Sequence, residues 1–163
     1  QLINGDLDGR YVVPGLRPLV EPLVARHAPQ VPLQLLDGRS HEALAACDVT
    51  LIASGTATLE AALFKRPMVI AYKMHPLSWQ MMKRMQLQPW VGLPNILCGD
   101  FVVPERIQSA AKPQQLADDV LAWLDSPGRI TAVQGRFREL HALLRRNTAQ
   151  TATHAIEKIL QHA

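Results

Sequence analysis

The residues best suited to chemistry lie between positions 48 and 60, where a short apolar run gives way to hydroxyl-bearing residues. The run Val49–Ala53 predicts a buried strand, and Ser54-Gly55-Thr56 predicts a turn that opens a helix. Ligands of open α/β sheets lie beyond the carboxyl ends of the strands. A helix N-terminus at that edge offers free backbone N–H groups and a partial positive charge. The pattern therefore predicts a phosphate-binding turn.

Each residue of this turn has a role that its chemistry allows. Gly55 lets the backbone approach a ligand closely, and the hydroxyls of Ser54 and Thr56 are further donors. Glu60 follows one helical turn later and could accept two hydrogen bonds from a ribose diol. The alternative is an ordinary helix-capping sequence with an acid that the helix dipole favours. The segment is neither a Walker loop nor the dinucleotide fingerprint, because it lacks Gly-Lys-Ser/Thr and has a single glycine.

Two further clusters of polar residues are predicted to follow strands. Asn95, after Leu93-Pro94, offers a donor and an acceptor at the end of a short strand, although the same residues also suit an ordinary Pro-Asn turn. Lys73, after Tyr72, could pair with a phosphate. The chain shows no nucleophile–base pair and no two convergent carboxylates, so we predict no catalytic residue in it.

A sheet of parallel strands must position these residues. Short apolar runs alternate with segments of helical period, which predicts an α/β fold with right-handed crossovers, and mainly helix after Asn95. The predicted strands are Arg10–Val13, Pro32–Leu36, Val49–Ala53 and Met68–Tyr72. The first predicted helix begins near Glu21, the second begins after Ser40 as its N-cap, and the third runs from Thr58 to Lys65. The later predicted helices cover 76–85, 113–124, 130–146 and 149–161.

Composition and charge exclude several classes of protein. The 48% hydrophobic and 19% charged residues argue against disorder, and no apolar run approaches a membrane-spanning length. Cys47 and Cys98 make no disulfide framework, and no Cys or His pair has zinc-ligand spacing. Residues 61–99 contain five basic and no acidic groups, so this stretch is expected to meet an anion. The basic residues are too scattered for a nucleic-acid surface.

The motifs, taken together, resemble the nucleotide-sugar half of GT-B glycosyltransferases and, within them, the lipid-A-disaccharide synthase family. The resemblance runs from about Tyr11 to the end of the chain. The motifs that support it are Leu36-Asp37-Gly38, Ala53-Ser54-Gly55-Thr56-Ala57-Thr58-Leu59-Glu60, Pro67-Met68-Val69, Tyr72-Lys73-Met74, Leu93-Pro94-Asn95 and Phe137-Arg138-Glu139-Leu140-His141.

The resemblance implies a Rossmann-like C-terminal half of a GT-B fold that ends in long helices. Residues 1–128 would bind the donor nucleotide, and 129–163 would cross to an N-terminal domain that this chain lacks. Ser54, Gly55 and Thr56 would face the diphosphate, Glu60 would hold the ribose, and Asn95, with Tyr72 and Lys73, would line the UDP-sugar site. No cofactor or metal is expected.

The implied reaction transfers 2,3-diacylglucosamine from UDP to 2,3-diacylglucosamine 1-phosphate, at the cytoplasmic face of the inner membrane of a Gram-negative bacterium. The partners are these two substrates and the missing domain, with a membrane surface and a homodimer left open. The family's catalytic aspartate and its Leu-Pro-Gly-Ser-Arg segment are absent. Because the chain starts at Gln1, without Met, we expect an excised domain that is inactive alone.

Two alternatives remain at this point. A UDP-N-acetylglucosamine 2-epimerase-like protein would share the fold and the ribose glutamate. A nucleotide-free interaction module would instead use the basic 61–99 stretch on a membrane or protein surface. Within that stretch, residues 79–85 place Lys83 and Arg84 beside large apolar residues, as in an interfacial helix. The same spacing of Trp79, Met82 and Met85 would also suit a stripe buried against the sheet.

Overall fold

The computed structural model describes residues 2–6, 9–12, 17–30, 34, 36, 38–85, 88–145 and 148–160. In this part of the chain, the strands are β1 Leu2–Asp6, β2 Gly9–Val12, β3 Thr50–Ala53, β4 Met68–Tyr72 and β5 Glu105–Ile107. The helices are α1 Arg17–His27, α2 Ser40–Ala46, α3 Thr56–Leu63, α4 Pro76–Met85, α5 Leu93–Cys98, α6 Pro113–Leu124, α7 Pro127–Leu144 and α8 Thr148–Leu160. A single 3-10 turn, Gln108–Ala110, follows β5.

A parallel sheet with the strand order β3-β4-β5 positions the residues of the candidate site. Thr50 pairs with Met68 at one end of the β3–β4 ladder, and Tyr72 pairs with Ile107 at the end of the β4–β5 ladder. The residues Met68, Val69 and Ile70 are fully buried, as expected of a central strand covered on both faces. The predicted α/β class, with a parallel sheet and flanking helices, is confirmed.

One hydrophobic core lies between the sheet and the helices α3, α6 and α7. Trp123 of α6 is buried, and its indole N–H donates to the carbonyl of Met68 at 3.1 Å, which ties α6 to β4. Phe137 of α7 is buried in the same cluster, and burial of such a side chain contributes about 1.5–3 kcal/mol. Helix α7 therefore shares the core of the sheet, while the proposed division at residue 128 stays a prediction.

The N-terminal strands differ from the expectation. The sequence predicts that Arg10–Val13 belongs to the parallel sheet, but β2 pairs antiparallel with β1 in a separate two-stranded sheet. An apolar run does not specify its partner, and here the partner is the adjacent strand in sequence. Of the predicted strand Pro32–Leu36, only Gln34 and Leu36 are described, and neither belongs to a strand. The rest of it lies outside the described residues.

Several helix ends also differ from the prediction. Helix α1 starts at Arg17 and continues through Pro22, which cannot donate to the carbonyl four residues earlier, so the helix runs on without that bond. Arg39, not Ser40, is the N-cap of α2, because Ser40 already has helical geometry. The segment beginning at Leu93 is helical, where we predicted a strand end or a Pro-Asn turn. Pro94 stands in the first turn of α5, where its missing N–H costs no bond.

Candidate functional site

The turn between β3 and α3 lies at the carboxyl edge of the sheet, where the sequence placed it. Gly55 has φ 140° and ψ −169°, a region that is essentially restricted to glycine. A Cβ added there would meet no heavy atom within 4 Å. The need for glycine is therefore conformational rather than steric, and the backbone at this turn stays open on the side that a Cβ would occupy.

The first turn of α3 presents backbone donors at this open turn. The N–H of Thr58 is bonded to the carbonyl of Gly55 at 3.1 Å, and the Thr58 hydroxyl donates to the same carbonyl at 2.7 Å. Thr56 and Ala57 occupy the first two helical positions, whose N–H groups have no carbonyl of the helix to bond. Since Thr56 is exposed and Ala57 is half-buried, these two N–H groups and the helix dipole suit an anion.

Glu60 lies one turn further along α3 and remains accessible. Its side chain is 43% exposed, and Oε2 lies 3.4 Å from Nε2 of His41 on α2. The His41 ring in turn packs against Phe64, with 5.6 Å between the ring centroids. A carboxylate held beside an imidazole in this way keeps lone pairs available for hydroxyl donors such as a ribose diol.

The segment from Val91 to Asn95 lies beside this turn. The hydroxyl of Ser54 donates to the carbonyl of Val91 at 3.4 Å, a long hydrogen bond. The N–H groups of Val91 and Gly92 both donate to the carboxylate of Glu105, each at 2.9 Å. Glu105 therefore joins this segment to β5.

Asn95 is buried under the segment and is fully engaged with protein groups. Its Nδ2 donates to the carbonyl of Val103 at 2.9 Å and to Glu105 at 2.8 Å. Its Oδ1 accepts from the N–H groups of Val102 and Val103. Asn95 is 0% exposed, and both its amide oxygen and its amide nitrogen are hydrogen-bonded to protein groups. In this structure it therefore supports the candidate site from the protein interior. Its expected contact with the donor sugar stays a prediction.

The loop after β4 presents Lys73 at the same edge of the sheet. Tyr72 is half-buried at the end of the strand, and Lys73 is exposed. The loop is fixed by Gln108, whose side-chain amide exchanges two hydrogen bonds with the backbone of Met74, at 3.1 and 3.2 Å. Gln108 itself has a positive φ of 54° at the start of the 3-10 turn. Lys73 thus stands at the edge as an exposed cation on a fixed loop.

Two of the other basic residues of the acid-free stretch, Lys65 and Arg66, are engaged with other parts of the chain. Arg66 donates to the carbonyls of Leu44 (2.8 Å) and Ala45, near the C-terminus of α2, where the dipole favours a cation. Lys65 contacts the carbonyl of Leu63 and Nδ1 of His141, the latter at 2.6 Å. The remaining two basic residues are exposed on α4. Of the five basic residues in the stretch, Lys73 is the one that directly follows a strand at this edge.

A family model described as lipid-A-disaccharide synthetase matches residues 10–159 of this chain. The chain belongs to this family. Its relatives include lipid-A-disaccharide synthases of Albidiferax ferrireducens, 60% identical over 153 residues, and of Verminephrobacter eiseniae, 58% identical over 162 residues. The enzyme of Thiobacillus denitrificans is 50% identical over 160 residues. This family membership confirms the resemblance to the lipid-A-disaccharide synthase family and sets aside the epimerase alternative, while the assignment to the nucleotide-sugar half stays a prediction.

The chain spans about two fifths of the length of these relatives. The matches cover 91%, 94% and 97% of this chain, but 39%, 41% and 43% of the three lipid-A-disaccharide synthases. The chain is therefore homologous to part of a lipid-A-disaccharide synthase.

The structure brings most of the predicted site residues to one edge of the sheet. Ser54, Gly55, Thr56 and Glu60 lie on one turn and helix, and Lys73 follows the adjacent strand. Sequence reasoning missed the groups that hold the edge together, Glu105 and Gln108. In the sequence, Glu105 and Gln108 are two polar residues on either side of a short stretch after Val103. This pattern resembles no functional motif. Among the described residues, no three His, Cys, Asp or Glu side chains converge as metal ligands.

Proposed function

We propose that this chain is the donor half of a lipid-A-disaccharide synthase, which binds the UDP portion of UDP-2,3-diacylglucosamine. The observation that carries this proposal is the β3–α3 turn. There, Gly55 has a backbone conformation restricted to glycine and directly precedes the N-terminus of α3, at the carboxyl edge of a parallel sheet. The accessible carboxylate of Glu60 lies one turn beyond. Family membership supports the choice of ligand.

The ligand groups are assigned by charge and position. The diphosphate lies against Gly55 and Thr56, where the N–H groups of the first helical turn and the dipole of α3 meet its negative charge. The Ser54 hydroxyl and the ammonium of Lys73 are further donors to it, and Tyr72 lines the same edge. The carboxylate of Glu60 would repel a phosphate, so in this proposal it accepts hydrogen bonds from the ribose hydroxyls instead.

The departure of UDP is the part of the reaction that these residues assist. As the bond between the sugar and UDP breaks, charge grows on the diphosphate, and preoriented donors stabilise that charge without reorganising. In this proposal the helix end and Lys73 supply the stabilisation, and no metal ion is required. The general base and the acceptor site for 2,3-diacylglucosamine 1-phosphate belong to the remainder of the protein. Residues 129–163 would cross to that remainder, with α7 presenting to it the face that does not pack in the core of the sheet.

Helix α4 is proposed as the part of this chain that meets the membrane surface. Leu77 and Met81, one helical turn apart, are 74% and 66% exposed, and Lys83 and Arg84 stand in the last turn. Trp79 is half-buried, so one part of the helix already faces the protein. Exposed apolar residues beside basic ones suit the interface of an anionic bilayer. No described helix is long and apolar enough to cross a membrane.

The proposed role of Glu60 is tested by pairing a substitution with a modified ligand. Glu60→Ala should weaken UDP binding by about 1.5–3 kcal/mol, the range for hydrogen bonds to a charged group. Replacing UDP by 2′-deoxy-UDP should weaken binding to the unmodified chain and hardly change binding to the variant. Calorimetry measures all four affinities. Glu139→Ala, which removes an exposed carboxylate of α7, is the control and should leave UDP affinity unchanged.

The same titrations can refute the proposal in two ways. If the unmodified chain binds no UDP at millimolar concentration, the nucleotide site is not in this chain, and an interaction module becomes the better account. If both proteins are equally sensitive to loss of the 2′-hydroxyl, Glu60 does not hold the ribose.

A further inference from the structure

Glu105 accepts more hydrogen bonds than a solvated surface acid does. It is the first residue of β5 and is half-buried. Its Oε2 accepts from the N–H of Val91 at 2.9 Å, and its Oε1 accepts from the N–H of Gly92 at 2.9 Å and from Nδ2 of Asn95 at 2.8 Å. Hydrogen bonds to an ionised acceptor are shorter and stronger than neutral ones, so three of them fix the segment they join.

The segment so fixed lies directly on the sheet. A Cβ on Gly92 would stand 2.2 Å from Cδ1 of Ile70, a buried residue of β4, and 3.1 Å from Oε1 of Glu105. The backbone at Gly92 therefore passes between the central strand and the carboxylate, at a distance that a larger residue would disturb. Its position depends on the carboxylate above it as well as on the strand below.

The segment also reaches the β3–α3 turn. Val91 donates its N–H to Glu105 and accepts the hydroxyl hydrogen bond of Ser54 through its carbonyl. The two groups belong to one residue, so a shift of its backbone changes both hydrogen bonds. A continuous chain of contacts thus runs from β5 through Glu105 and Val91 to Ser54.

We propose that Glu105 is a positioning residue, which sets the geometry of Ser54 and the β3–α3 turn by holding Val91 and Gly92. That this turn binds UDP rests on the proposed function, whereas the coupling between Glu105 and the turn does not. The neighbouring residue of β5, Arg106, instead pairs with Asp119 of α6, with Nε and Oδ2 2.6 Å apart, and serves to attach that helix. Asp119→Asn is therefore the matched control, because it disturbs β5 on its other side.

The coupling is measured first without ligand, by amide NMR and hydrogen exchange on the whole chain. In Glu105→Ala the amides of Val91 and Gly92 should lose protection, and the resonances of Ser54 and Gly55 should shift. Glu105→Gln can keep an oxygen toward Gly92 and Asn95 while its NH₂ faces Val91, so protection should fall mainly at Val91. This second variant decides the question even if the alanine variant fails to fold. Asp119→Asn should change none of these four amides.

UDP affinity then tests whether the coupling serves the site. We expect Glu105→Ala to weaken UDP binding about 10-fold and Glu105→Gln by less, and Asp119→Asn to change it by less than about 2-fold, as for coupled and uncoupled neighbours. Adding Ser54→Ala to Glu105→Ala should cause little further loss, because Ser54 is already displaced.

Three results with the Glu105 variants would overturn the proposal. The first is unchanged amide protection at Val91 and Gly92, and the second is unshifted resonances of Ser54 and Gly55. The third is a full loss of that protection while the affinity for UDP stays the same. If the unmodified chain binds no UDP, the proposed function fails. The exchange and shift data then still decide whether Glu105 sets the turn.

Discussion

Substitution of Gly55 by alanine isolates the backbone strain of the β3–α3 turn. At φ 140° and ψ −169° an L-residue is disfavoured by about 1–3 kcal/mol. The added methyl group meets no heavy atom within 4 Å, so no clash contributes to the effect. We therefore expect Gly55→Ala to lower the free energy of unfolding by about 1–3 kcal/mol, which is a fall of about 2–12 °C in melting temperature for a chain of this size.

Gly135→Ala provides a control of opposite sign. Gly135 lies inside α7, and a Cβ there would also have no heavy atom within 4 Å. Alanine is favoured over glycine in a helix, so this variant should gain about 0.5–1 kcal/mol. Urea unfolding of the two variants beside the original chain measures both changes. If Gly55→Ala is as stable as the original chain, the backbone at this turn does not have the conformation on which the phosphate site depends.

Three further predictions concern the isolated chain. It should form no disaccharide from UDP-2,3-diacylglucosamine and 2,3-diacylglucosamine 1-phosphate, since the sequence predicts no acid/base pair in it. Product above a no-enzyme control would contradict this. Burial raises the pKa of the Cys98 thiol, so iodoacetamide should alkylate this thiol more slowly at about pH 8 in the folded chain than in the urea-unfolded chain. The pH at which the alkylation rate rises should also be higher in the folded chain. Equal rates would contradict this. The double change Lys83→Glu/Arg84→Glu removes two positive charges and adds two negative ones, so it should weaken binding to phosphatidylglycerol vesicles at low salt by at least about 2 kcal/mol, or about 30-fold. The charge-matched Lys112→Glu/Arg138→Glu should weaken it far less, and equal losses would show that net charge alone governs binding.

The parts of the fold that could be predicted are those whose signals are local. The strands β3 and β4 are apolar runs ended by polar or turn residues, and the turn at Gly55 follows directly from its composition. Helix α6 has the predicted bounds, because Pro113 starts it and Ser126-Pro127 separates it from α7. In each case, residues within a few positions of one another decide the structure.

The parts that could not be predicted depend on partners distant in sequence. Strand β5 is only three residues long and contains Glu105 and Arg106, so it has no apolar pattern and exists through pairing with β4. Asn95 is predicted to follow a strand, but it lies in α5 and is buried by contacts with Val103 and Glu105, eight and ten residues away, while its expected contact with the donor sugar stays a prediction. The bonds that hold the site edge together therefore leave no motif in the sequence.

Binding of the diphosphate of UDP at the β3–α3 turn can be followed by amide NMR during a UDP titration. If UDP binds there, the amides of Gly55, Thr56 and Ala57 should shift progressively and saturably, because their N–H groups meet the ligand. Amides of α6 and α8, which lie on other elements, should stay in place. Shifts that spare these three amides, or no shift at millimolar UDP, would show that the turn does not bind the diphosphate.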